Sequence, residues 1–246
     1  MVQDGGVAGD RAVKVWAWIA AAHIGDEPVS VAAVCNAAVL RLGVDGASVS
    51  AVSGKRGREP LFASDELSAV LEDLQFTTGE GPVTDSRLGA PVLVGDLESV
   101  AARWPGFVPE AMAAGARAMF AVPLQTGAIQ IGMLSLYRAV PGPLTAEELA
   151  DVLVFADAAL QILLDAASGV TGSPAYWPLN GISDRRAMVH QATGMISVQL
   201  DVSLEEALVR LRAHAFARGT ALGEVAAEVV GRQLRFDPGA GAGAGV

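Results

Sequence analysis

ISDRRAMVHQATGMISVQLDVSLEEALVRLRAHAFARGTALGEVAAEVVGRQLRF, residues 182–236, reads as three helices with their own caps and spacing, and it sets the division of the chain. In its first helix Met188, Val189, Ala192, Met195, Ile196 and Leu200 gather on one side at about 100° per residue, with Ser183 or Asn180 placed to cap. The opposite side then carries Arg186, His190, Thr193, Gly194 and Ser197. Gly194 costs about 1 kcal/mol relative to alanine inside a helix, so a close approach is expected there. A packed helix and a nucleic-acid strand fit that expectation equally. Asp201 and Val202 form a turn, and Ser203 with Glu206 makes a capping box for a second helix that buries Leu204, Ala207, Leu208, Leu211 and Ala215. Arg212 and Phe216 share one flank of it, with Arg210, His214 and Arg218 elsewhere on the rim. Gly219 closes that helix and Thr220 is placed to cap the third, which buries Leu222, Val225, Ala226 and Val229. Glu224, Glu228, Arg232 and Arg235 remain outward, Glu228 and Arg232 reading as an intrahelical ion pair.

Charge marks the same boundary. Residues 1–179 hold 20 Asp and Glu against 10 Lys and Arg, whereas residues 180–236 hold 6 against 7. A chain of 246 residues with such a change two-thirds along suits a medium domain followed by a small one. Although 52% of residues are hydrophobic and only 18% charged, much of the excess is alanine. No uncharged apolar run reaches the ~18 residues of a membrane span. MVQDGGVAGDR lacks a secretory signal's basic and apolar regions, so a cytoplasmic location is expected. The single cysteine, Cys35, lies in the apolar helical pattern VAAVCNAAVL, which predicts a core thiol.

Outward from the terminal unit, the linker SGVTGSPAYWPLNG (168–181) is rich in Gly, Ser and Pro, and the preceding PGPLTAEELADVLVFADAALQILLDAA predicts a long helix. Thr145 with Glu148 makes its capping box, and Leu149, Val152, Leu153, Ala156, Leu160, Leu163 and Leu164 form an apolar stripe. The stripe suits the face of a sheet, a second copy of the chain, or both. AMFAVPLQ and AIQIGMLSLY, joined at Thr126–Gly127, predict a central antiparallel pair. PVLV predicts another strand, after a turn at Gly79, Gly81 and Pro82. ASVSAVS and PLFAS predict a hairpin whose basic loop residues Lys55, Arg56 and Arg58 read as a solvated turn that blunts a strand edge. Helices are expected at Arg11–Ile24, from Ser30 to about Leu42, at Asp65–Leu74 and around Trp104, Pro105 and Phe107. The Gly-rich residues 1–10 and 237–246 are expected to stay disordered. Strands in the middle with helices before and after give an α+β domain over residues 11–167.

The order of elements, with the strings LQFTTGEGP, PVLVGDL, RWPGF and AVPLQTGAIQIGMLSLYR, resembles GAF sensor domains of actinobacterial regulators over about Pro28 to Leu164. HQATGMI, EEALVRLRAHA and ALGEVAAEVV resemble the ANTAR domain, the RNA-binding output module of transcription antitermination regulators, over Ser183–Leu234. The family commonly has lysine before the helix glycine, where this chain has Thr193. The resemblance implies a homodimer that binds paired RNA stem-loops in nascent transcripts. On that reading Arg212 and Arg218 contact phosphates. His190, Thr193, Gly194 and Ser197, with Arg186 on the same side, face loop nucleotides, and Phe216 stacks a base. The GAF resemblance implies a sensed signal, either an unidentified small molecule or a signalling protein, with no cofactor evident.

Enzyme readings find no footing in the residues. His23, His190 and His214 are scattered over separate helices without carboxylates at ligand spacing, so no metal site is expected. GEGP is too short for a phosphate-binding loop and lacks the following Lys-Ser/Thr. Some GAF-fold proteins reduce methionine sulfoxide with several cysteines. Cys35 alone cannot form and resolve a disulfide, and Val83 follows the GEGP turn where those relatives carry cysteine. Two alternatives to RNA binding remain. One is a helix-turn-helix DNA-binding regulator, for which ALGEVAAEVV has few groups able to read base edges. The other is a dimerisation or protein-interaction module that binds no nucleic acid.

Overall fold

The computed structural model describes residues 4–24, 28–52, 58–86, 89–168 and 182–237, with the side chains of 4–8 and 182–185 outside that description. The expectations for Lys55 and Arg56, for capping by Asn180 or Ser183, and for nearly all of the linker and tail lie outside the described residues. The chain forms two compact units, Met1–Leu179 and Asn180–Val246.

The first unit is a five-stranded antiparallel sheet of order β2-β1-β5-β4-β3, built from β1 (Gly46–Val52), β2 (Arg58–Ala63), β3 (Val92–Val94), β4 (Ala118–Thr126) and β5 (Ile129–Arg138). Helices cover both faces. Strand β4 is accordingly buried at seven successive positions from Ala118 to Leu124, as expected of a strand without a wet face. One face receives α1 (Asp4–Ala22), α2 (Val31–Arg41) and α6 (Ala146–Ala167). Val15, Ile19, Val34, Val49, Phe120, Leu134 and Phe155 meet there. The other receives α3 (Glu66–Thr78), the short α4 (Pro82–Asp85) and α5 (Val108–Ala114), with Leu71, Trp104, Phe107, Met119 and Tyr137 in its core.

Helix α1 starts at Asp4, inside the stretch expected to be disordered, and is tied to α6 because Arg11 and Lys14 both pair with Asp151. The Thr145–Glu148 capping box forms as expected. The apolar stripe of α6 turns mostly inward. Val152, Ala156 and Leu163 are buried in the sheet-side core, while Leu153 and Leu164 stay exposed. Ser30 is the N-cap of α2 but makes no side-chain cap hydrogen bond, and α3 extends to Thr78, four residues beyond the expected Leu74. Arg138 fastens three segments: its guanidinium donates to Gly43 O, Leu42 O, Pro143 O and Glu148 Oε1. Burial works to raise the Glu148 carboxyl. Hydrogen bonds from Thr145 and the Arg138 charge outweigh it, and the group sits below its ordinary value.

The GEGP and RWPGF strings are stitched to one another. Glu80 Oε2 accepts from the backbone N–H of Gly106 (2.7 Å) and Phe107 (3.1 Å). Asp85 Oδ2 accepts from Trp104 Nε1 (3.2 Å) and Arg103 Nε (2.9 Å). Cys35 is fully buried and burial raises its thiol well above the usual range, with Glu72 adding to the shift, so it is an inert core residue.

The second unit packs α7 (Ile182–Leu200), α8 (Leu204–Arg218) and α9 (Leu222–Val230) around Val189, Ala192, Ile196, Leu211, Val225 and Val229. Among the described residues no helix is long and apolar enough to cross a membrane.

Candidate nucleic-acid interface

Helix α7 presents a different face to its core from the one its hydropathy suggests. Arg186, Val189, Thr193, Ile196 and Leu200 are all buried, and their spacing of three and four residues makes one continuous stripe. Arg186 and Thr193, expected outward, are each 4% exposed, whereas Met188 and Met195 are only half-buried. Thr193 tolerates the interior because its Oγ1 donates to Val189 O at 2.7 Å, one turn back. The face turned to solvent is therefore Ala187, Gln191 and Val198, with half-buried Gly194 between them.

Among the described residues no neighbouring element closes on Gly194. A Cβ built there meets nothing within 4 Å, so packing within the unit is not the reason for the glycine. Ser197 is half-buried and serves the α7–α8 turn: its Oγ donates to Val202 O (2.6 Å), and Val202 N donates to Ser197 O (3.1 Å). His190 and Arg212 are half-buried.

On α8 the cap is as expected, with Ser203 accepting from Glu206 N. Leu204 is exposed rather than buried. Phe216 is 86% exposed, and Ala213 and Val209, one and two turns before it, share its exposed side. Arg210 pairs with Glu206 (2.6 Å), leaving the rim locally neutral. Arg218 does not project alone: its Nη1 and Nη2 grip Glu228 Oε2 (2.6 Å) and Oε1 (3.0 Å). The expected Glu228–Arg232 pair is replaced by this one. Hydrogen bonding to Arg218 holds the Glu228 carboxyl below its ordinary value, and the same contact raises the guanidinium. The N-cap of α9 is Ala221, without a side-chain cap bond, so Thr220 does not cap it.

Of the eight residues nominated for RNA contact, Phe216 and Arg218 are exposed. Gly194, His190, Ser197 and Arg212 are half-buried, and Arg186 and Thr193 are interior. Past α9 the chain folds back: Phe236 N donates to Gln199 Oε1 (3.0 Å), and the Phe236 ring lies 5.1 Å from that of His214. Hydropathy gives no sign of this return, which fixes the turn at Gly231–Gln233 and places Arg232 in solvent.

In the first unit, Glu72 Oε1 accepts from Ser48 Oγ (2.8 Å) and Ser135 Oγ (3.0 Å) between α3 and the sheet. With Ser68, Gln75, Met119 and Tyr137 these residues line a cavity of about 10 Å³, the size of one water. Among the described residues no group of three His, Cys, Asp or Glu is placed to hold a metal ion.

Residues 179–230 match the ANTAR domain, and no curated protein matches the chain. Solved structures similar in chain path include the GAF domain of an Acinetobacter phosphoenolpyruvate-protein phosphotransferase. It has 13% identity, 67% of this chain and 97% of that one covered, and a TM-score of 0.48. GAF3 from Slr1393 of Synechocystis sp. PCC6803 has 21% identity, 57% and 94% coverage and a TM-score of 0.46. Escherichia coli SdiA has 13% identity, 92% and 99% coverage and a TM-score of 0.49. At these values the similarities say nothing of ligand or activity. The chain joins an α+β unit on a five-stranded antiparallel sheet to a helical unit whose residues 179–230 match the ANTAR domain.

Proposed function

We propose that this protein is a cytoplasmic, non-catalytic regulator whose first unit senses a signal and whose second unit binds paired RNA hairpins in nascent transcripts, preventing termination. The match of residues 179–230 to the ANTAR domain carries the reading. The exposed ring of Phe216 supports it, since aromatic stacking on an unpaired base contributes about 1–3 kcal/mol. Duplex DNA is disfavoured. A recognition helix must present donors and acceptors to base edges, and α9 buries Leu222, Val225, Ala226 and Val229 while turning Glu224 and Ala227 outward.

The first unit's signal is an unidentified small molecule or a signalling protein. Because the Glu72 cavity holds about one water, a small molecule entering there must displace α3 or its side chains. The protein acts as a homodimer. An exposed apolar side of α1, including Val13 (72% exposed), Trp16, Ala17 and Ala20, supports pairing through that helix rather than through the α6 stripe. Sedimentation checks this: Val13→Glu is expected to shift a dimer to monomer, and an unchanged dimer places the interface elsewhere.

Single-round transcription through a template encoding tandem stem-loops that overlap a terminator tests the function. Added protein is expected to increase read-through, and Phe216→Ala to reduce its potency about tenfold. Read-through unaffected by the protein contradicts antitermination.

A further inference from the structure

Arg232 lies two residues past the end of α9, beyond the stretch that matches the ANTAR domain. Its backbone has φ 60°, the left-handed region that Gly219 occupies with φ 59° after α8. A Cβ in this region crowds the following carbonyl oxygen, so glycine is the usual occupant of such a helix-closing position. The conformation is imposed by the cap. Arg232 N donates to Val229 O (3.0 Å), and Gln233 N and Leu234 N both donate to Glu228 O (2.8 and 3.1 Å).

Among the described residues nothing holds the side chain of this arginine. The residue is exposed, and its guanidinium has no hydrogen bond or ion pair among the described residues. Its neighbours differ. Arg210, Arg218 and Arg235 each face a carboxylate, of Glu206, Glu228 and Asp237, at 2.6, 2.6 and 3.7 Å. A cation is thus kept where the backbone favours glycine and where no partner among the described residues holds it. Unfavourable backbone of this kind concentrates at functional sites.

We propose that Arg232 is a phosphate contact of the RNA-binding surface, and that Arg218 acts as a clasp between α8 and α9 instead. The inference rests on the RNA reading above. A guanidinium fork already closed on Glu228 must give up two charge-assisted hydrogen bonds to reach a phosphate, whereas that of Arg232 gives up none. Freeing Glu228 would also return a cation to the carboxylate, cancelling the counterion that RNA binding releases. Arg232 contributes that release in full.

The test measures anisotropy of a labelled RNA carrying two tandem stem-loops, titrated with the full-length chain at several salt concentrations, alongside thermal melting. Arg232→Ala and Arg232→Gly are expected to weaken binding about tenfold at low salt. They should also flatten the plot of log affinity against log salt by ~0.7–0.9. Arg232→Gly is expected to raise the melting temperature by about 3 °C, which separates lost contact from lost fold. Arg232→Lys should keep the slope, and Arg218→Ala should leave it unchanged. Wild-type slopes in both Arg232→Ala and Arg232→Gly, or a flattened slope in Arg218→Ala with Arg232→Ala unaffected, overturn the proposal. Failure of the wild-type chain to bind this RNA overturns the RNA reading itself.

Discussion

At the scale of single residues, two positions illustrate how little side-chain type says without its surroundings. Gly194 looks like a packing glycine, yet its missing Cβ faces open space. Gly194→Ala is therefore expected to stabilise the second unit by about 1 kcal/mol in thermal or urea unfolding; destabilisation would mean that a neighbour crowds the site after all. Glu80, by contrast, looks like a polar turn residue and is a structural anchor. Its carboxylate satisfies two backbone N–H groups entering α5, so Glu80→Ala is expected to cost about 1–2 kcal/mol. An unfolding midpoint equal to wild type would contradict the anchoring role. The strings containing Glu80 and Trp104 were legible as motifs, but their contact, across more than twenty residues of chain, was not. No local pattern encodes which turn a carboxylate reaches.

At the scale of elements, strands and long helices followed from hydropathy because burial imposes the period: β4 and β5 are apolar along their length, and α6 has a stripe and a capping box. The buried face of α7 departs from its hydropathy pattern for a physical reason. Thr193 satisfies its own hydroxyl on the previous turn, so polarity did not keep it out of the core, and the methionines were free to lie half-exposed. Element-level context also perturbs Asp157, on the exposed side of α6 four residues after Leu153. Partial burial raises its carboxyl above the ordinary 3.8. With the folded value the higher one, folding favours the protonated acid, and stability falls as pH rises through that value. Asp157→Asn is expected to melt above wild type at pH 7, with the gap closing as pH drops below about 4. A gap independent of pH would assign the effect to something other than ionisation.

At the scale of the whole molecule, charge separates the two units. The first carries a net of -10 and the second is near neutral, with Arg210, Arg218 and Arg235 each facing a carboxylate. Bulk attraction to a polyanion is therefore weak, and the proposed RNA binding rests on a few placed groups such as Phe216 and Arg232 rather than on a basic surface. The division into two units was legible from that charge change and the Gly/Ser/Pro-rich stretch between them. The pairing of the outward groups was not, because Arg218 reaches Glu228 from another helix, whereas spacing along one helix favours Glu228 with Arg232. The central claim is that the second unit selects folded RNA. Its most direct test is an equilibrium titration of the full-length chain, at low salt, against a tandem stem-loop RNA and the duplex DNA of the same sequence. The RNA is expected to bind at least tenfold more tightly, with Phe216→Ala removing most of the difference. Equal affinity for both, or binding to neither, would contradict the account.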